Sequence, residues 1–173
     1  MKKETKARII AIGIITLLLA ADLGSKRIAE ISLKGRGVVR VLGDLLVFVY
    51  SENHGAFLSL GSGIDGILWN LLFLAGPAIV VAVLCFVLMK RAVLDSRGLS
   101  YLFIVAGGLG NLADRFFREG FVRDFINAGI GNLRTGILNV ADLYITAGVI
   151  IMALATFAKP RVEENSNSRD QAE

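Results

Sequence analysis

The sequence predicts an all-α membrane protein, four transmembrane helices with a small extracytoplasmic β element between the first and second. Two observations carry that prediction. Of 173 residues, 54% are hydrophobic and only 20% charged, with a mean hydropathy of +0.64, a composition too apolar for a water-soluble domain. The apolar residues also gather into four runs close to the length of about 20 residues that a helix needs to cross a bilayer. One compact bundle fits this length, so residues 1–158 are read as a single integral-membrane domain.

The first run, Ala7 to about Leu23, follows Lys2, Lys3, Lys6 and Arg8. A basic start, an apolar core and Ala20-Ala21 also describe a cleaved secretory leader. Three further runs follow, and Asp22-Leu23-Gly24-Ser25-Lys26 continues the segment, so it reads as a retained span. The loop 27–66 contains Val38-Val39-Arg40-Val41-Leu42 and Leu45-Leu46-Val47-Phe48-Val49-Tyr50, parted by Gly43-Asp44. Such β-branched and aromatic stretches around a turn predict a hairpin or small sheet on the membrane surface. The second run, Ile67–Met89, is uncharged and ends at Lys90-Arg91; Asn70 is expected to hydrogen-bond between helices and Pro77 to kink the span. The third, Leu99 to about Phe117, carries Asp114 and Arg115 near its end. The fourth, Ile137–Ala158, carries Asp142 near its start, and the polar tail 159–173 is expected to be disordered.

The net charge of +4 is compatible with nucleic acid, but the basic residues sit at span edges and in loops, which suits lipid headgroups instead. The 19 Lys and Arg divide 10 to 9 between the two sides, and the dense basic N-terminus places both termini in the cytoplasm. One cysteine, Cys85, and one histidine, His54, leave no internal disulfide and argue against a thiol nucleophile or a zinc site. No metal or cofactor is expected.

The chemistry-bearing residues lie at span ends. Asn111, Asp114 and Arg115 share one helix face after Gly107-Gly108-Leu109-Gly110, and an Asp114–Arg115 pair is one way to offset their charge. Asn139 and Asp142 lie three apart at the start of the last span, where a carboxylate is stabilised by the helix N-terminus alone. Asp124 falls in the link between the third and fourth spans, and its apolar flanks lower it onto the membrane surface beside Asp142. Asp22 and Lys26 are at i and i+4, the spacing of a surface ion pair. Asn53 precedes His54-Gly55, either as a turn signal or as a polar group aimed at a peptide backbone. Any one of these has a structural explanation; polar residues from three helices at one membrane depth call for a functional one.

These clusters, in this order, resemble the lipoprotein signal peptidase (signal peptidase II) family of membrane aspartyl proteases. The resemblance rests on Asp22–Lys26, Asn53-His54-Gly55-Ala56-Phe57, Gly107–Arg115, Asp124-Phe125-Ile126 and Asn139-Val140-Ala141-Asp142. It implies Asp124 and Asp142 as a catalytic dyad, Asn53, Asn111, Arg115 and Asn139 as site-lining groups, and Asp22, Lys26 and Asp114 as their support. It further implies a periplasmic β-cradle, a bacterial inner-membrane location and diacylglyceryl-modified prolipoproteins as substrates, cut just before the lipidated cysteine. A monomer among membrane lipids, with no nucleic-acid partner, is the expected state. The chain departs from the family pattern at Arg123, at Leu143-Tyr144 and at Phe57; an arginine beside a catalytic acid is expected to lower its pKa.

Two carboxylates sharing one proton activate a water and protonate a leaving amine, which makes the reading chemical rather than architectural. Its rivals are a catalytically altered lipoprotein binder, a small ion or proton transporter built on Lys26 and the same acids, and a structural membrane protein. A transport path requires acids spread through the membrane depth, whereas Asp22, Asp114 and Asp142 gather near one interface.

Overall fold

The computed structural model describes residues 2–55, 63–64 and 66–157. Four long helices and a four-stranded antiparallel sheet account for most of them. The helices are α1 (Lys3–Leu33), α2 (Gly66–Arg91), α3 (Ser96–Phe117) and α4 (Val140–Phe157). The strands are β1 (Val39–Leu42), β2 (Leu46–Asn53), β3 (Val122–Ile130) and β4 (Leu133–Arg134), in the spatial order β1-β2-β3-β4. The expected tail 159–173, and Phe57 with it, lies outside the described residues.

Three helices, α1, α2 and α4, are long and apolar enough to cross a membrane. Their apolar side chains face outward rather than into a core: Leu17, Ile79, Phe86 and Leu154 are all exposed. That inverted pattern is unfavourable in water and is what a hydrocarbon solvent asks for. The inner packing is thin and local, with Ala11, Leu88 and Leu102 meeting where α1, α2 and α3 converge. At that end Arg8 Nε donates to the Met89 carbonyl at 2.9 Å, tying α1 to the close of α2. Asp95 caps α3 by accepting from the Gly98 N–H at 2.8 Å.

α1 runs ten residues past the expected end of the first span, because Ser25, Ala29 and Leu33 continue its helical face. Ala29 and Leu33 pack with Phe125 of β3 beneath the sheet, flanked by Phe48 and Tyr50. α2 contains a π-helical turn, Asn70–Ala75, in which the Gly76 N–H reaches back to the Leu71 carbonyl. Pro77 has no N–H to give and its ring crowds the preceding turn, so a widened turn just before it absorbs the fault. Asn70, expected to bond between helices, instead lines a cavity at the start of α2.

The hairpin around Gly43-Asp44 forms as expected, pairing Val39 with Phe48 and Arg40 with Val47. The segment holding Asp124 was expected to rest on the membrane surface as a link; it is strand β3. It pairs with β2 in the register Ser51–Asp124, Glu52–Arg123 and Asn53–Val122. The sheet is therefore not built from the α1–α2 connection alone: the α3–α4 connection supplies half its strands. Ile126 also bridges to Leu138, which carries the chain from the sheet into α4.

Candidate active site

Asp142 is fixed by the start of α4. Asn139 Oδ1 accepts the Asp142 N–H at 3.0 Å and Asp142 Oδ2 accepts the Asn139 N–H at 3.0 Å, a reciprocal capping box. The same Asn139 turns its Nδ2 to Asp124 Oδ1 at 2.6 Å. Asn53, at the end of β2, gives its Nδ2 to Asp124 Oδ2 at 2.8 Å. One residue thus bonds both acids, Asp124 through its side-chain amide and the Asp142 carboxylate through its backbone N–H, and strand pairing delivers a second amide to Asp124.

Asn111 of α3 gives its Nδ2 to Asp142 Oδ1 at 2.9 Å while its Oδ1 accepts from Lys26 Nζ at 3.0 Å. The ammonium thereby fixes which end of the amide faces the carboxylate. Lys26 is fully buried and pairs with the equally buried Asp22 at 2.8 Å, so the surface ion pair expected at these positions is an interior one. Asp22 Oδ1 accepts the Ala141 N–H at 2.8 Å, anchoring the first turn of α4 to α1. Gly110 makes that contact possible: a Cβ there would stand 2.3 Å from Asp22 Oδ2.

Asp114 does not pair with Arg115. It accepts the Arg123 N–H at 3.0 Å and Arg123 Nε at 3.2 Å, and forms a further bond to the same guanidinium. Lys26 Nζ lies 3.7 Å away. Arg123 also reaches Glu30 at 3.2 Å, which Arg118 holds at 2.9 Å. Arg115 turns instead to the Gly55 carbonyl at 2.7 Å, and its buried Nε has no hydrogen-bond partner among the described residues.

The acids, with Asn53, Asn111, Arg115 and Asn139, surround a pocket of about 40 Å³ closed by Val122, Ile137 and Leu138. That is room for a water. Burial raises the Asp124 carboxyl to about 6, with the Asp142 charge adding to the rise and the Asn53 and Asn139 amides opposing it. The pKa reduction expected from Arg123 does not occur. Successive strand residues point to opposite faces, and Arg123 spends its charge on Asp114 and Glu30.

All nine residues singled out from the sequence are thus gathered, six lining the pocket and Asp22, Lys26 and Asp114 behind it. Sequence reasoning missed the Glu30–Arg118–Arg123 group; pairing 121–126 as a strand, whatever its non-alternating sequence, would have set Arg123 and Asp124 on opposite faces. Tyr144 packs against Phe103, with ring centroids 6.0 Å apart, and takes no part in the pocket.

Helices suited to a membrane, and one buried and one half-buried carboxylate around a water-sized pocket, define a multi-pass membrane protein with the makings of a hydrolase. Comparison with known proteins makes the assignment specific. The family model described as signal peptidase (SPase) II matches residues 14–158. A lipoprotein signal peptidase of Francisella tularensis subsp. novicida (strain U112) is 34% identical over 159 residues, 90% of this chain and 94% of that protein. One from Borrelia duttonii (strain Ly) is 34% identical over 145 residues, 81% of this chain and 85% of its own length. A solved bacterial membrane enzyme superposes with a TM-score of 0.74 at 26% identity, over 89% of this chain and 93% of its own. The chain belongs to the signal peptidase II family, and with it to the enzymes that remove signal peptides from lipoproteins.

Proposed function

We propose that Asp124 and Asp142 are the catalytic dyad of this signal peptidase, acting on diacylglyceryl-modified prolipoproteins just before the lipidated cysteine. The observation that carries the reading is Asn139, whose single side chain bonds Asp124 and caps the turn holding Asp142. Two carboxylates held about one small pocket share a proton. The ionised member takes a proton from water, the hydroxide attacks the scissile carbonyl, and the protonated member hydrogen-bonds the carbonyl oxygen before a proton passes to the leaving amine. The Nε–H of Arg115, without a partner among the described residues, is the donor placed to hold the substrate backbone, with Asn53 and Asn111 orienting the acids.

An apolar groove lined by Leu72, Phe73, Leu112 and Ile145 opens beside Asp142 and Arg115. It suits the acyl chains of the substrate, keeping hydrocarbon in the membrane while the peptide bond meets the dyad. In this reading α3 is a fourth span, the sheet is a cradle on the periplasmic face, residues 1–158 form one domain and both termini are cytoplasmic in a bacterial inner membrane. The test is cleavage of a lipidated prolipoprotein peptide by purified enzyme. Asp124→Asn and Asp142→Asn are each expected to lower the rate by at least a thousandfold while leaving the protein folded. Near-normal cleavage by either variant removes the dyad.

A further inference from the structure

Arg115 lines three cavities at once: the dyad pocket, the apolar groove, and a larger cavity of about 520 Å³ at the start of α2. A lipidated cysteine at a cleavage site also has three arms: the signal peptide, the acyl-bearing side chain and the polypeptide that follows. The third cavity is bordered by His54, Trp69, Asn70, Arg115 and Glu119. Walls that set polar groups beside Ile64, Trp69 and Leu74 suit a peptide, whose N–H and C=O groups need partners, better than an acyl chain.

The charge in this cavity is unevenly committed. Arg115 donates to Gly55 and faces the two acids, whereas Glu119, an exposed residue, makes no hydrogen bond or ion pair among the described residues. Glu119 is also held where a glycine would be easier, with φ of +52° just past the end of α3. The turn is fixed by the Gly120 N–H on the Arg115 carbonyl at 3.0 Å and the Phe121 N–H on the Arg118 carbonyl at 3.2 Å. A carboxylate in the left-handed region, with no partner among the described residues, is presented to whatever enters.

We infer that this cavity receives the polypeptide on the carboxyl side of the cleaved bond, and that Glu119 selects cationic over acidic side chains within its first residues. The inference rests on the peptidase reading above and adds a sequence preference to it. A single half-solvated charge pair changes affinity by a few-fold and is weakened by salt.

The test is a competition assay with the full-length enzyme in detergent, using diacylglyceryl-modified peptides that differ only in Lys, Gln or Glu right after the lipidated cysteine. The unaltered enzyme is expected to favour Lys over Glu by about threefold to tenfold in kcat/KM, less at high salt. Glu119→Gln is expected to level that ratio and Glu119→Lys to reverse it. The same ratio in all three enzymes overturns the inference while leaving the peptidase intact. Failure of the unaltered enzyme to cut any of the peptides overturns the peptidase reading, and this inference with it.

Discussion

At the scale of single residues, Asn139 joins folding to chemistry, and the two contributions are separable. Its carbonyl oxygen caps α4 and its amide nitrogen serves Asp124. Serine keeps a capping oxygen and has no group that reaches Asp124, whereas alanine lacks both. Asn139→Ser is therefore expected to stay within about 1 kcal/mol of the parent in stability, yet lose tenfold or more in kcat, measured by thermal unfolding and peptide cleavage side by side. Asp124 supplies a second prediction. Its carboxyl sits near 6 against an ordinary 3.8, so the folded protein disfavours the anion. Its contribution to stability is full below about 4 and declines as pH rises to about 6. Activity follows the same proton: once pH passes 6 the free enzyme loses the one the dyad shares. The kcat/KM profile is expected to fall on its alkaline side with an apparent pKa near 6, and Asn139→Ser to move that value upward by withdrawing a donor from the carboxylate. An alkaline limb unchanged in the variant would separate it from Asp124.

At the scale of elements, the α3–α4 seam decides whether the acids meet. Cβ atoms on Gly107 and Gly148 would stand 2.4 Å from the Ala141 carbonyl and 2.8 Å from the Ser100 carbonyl. Backbone cannot yield as a flexible side chain does, so Gly107→Ala is expected to push the first turn of α4 away from α3 and break the Asn111–Asp142 bond. Activity should fall at least tenfold with α-helical content kept, by cleavage assay and circular dichroism. Strand β3 has its own lock in Arg123. Replacing it with Met leaves Asp114 buried and short of its strongest partner, a loss expected at about 3–5 kcal/mol and seen as a lower unfolding temperature. These elements differ in how far the sequence discloses them. Apolar runs, the Gly43-Asp44 hairpin and the shared face of Asn111 and Arg115 are local patterns, legible from spacing alone. Strand β3 is not, because Val122–Ile130 acquires its identity from partners 69 to 82 residues earlier in the chain. The burial of Lys26 was hidden for the same reason: i,i+4 spacing to Asp22 shows a pair, while Asn111 and Asp114 arrive from another helix.

At the scale of the whole molecule, the proposal that α3 is a fourth span can be set against the spacing of charges along two helices. Arg8 and Lys26 of α1 are eighteen residues apart, as are Arg97 and Arg115 of α3, in each case about 27 Å along a helix. That matches a hydrocarbon core of about 30 Å, so if α3 is a fourth span, as proposed, the charged groups of both helices would come to common depths. α3 falls short of α1, α2 and α4 in apolar character because its face toward them carries Asn111, Asp114 and Arg115, groups screened from lipid by Lys26, Arg123 and the dyad. A helix of 22 residues, about 33 Å long, spans the core if its polar face is covered. Single cysteines in a Cys85→Ala background test this with a membrane-impermeant thiol reagent on intact cells. Asp44→Cys in the hairpin and Asn132→Cys between β3 and β4 are expected to label from outside. Lys6→Cys before the first span and Asp95→Cys at the cap of α3 should label only after the membrane is opened. Labelling of Asp95→Cys from outside would leave both ends of α3 on one side and remove it as a span. Asn111, Asp114 and Arg115 would then have to sit on a helix lying along the membrane, a geometry that gives their partner Lys26 no reason to be buried.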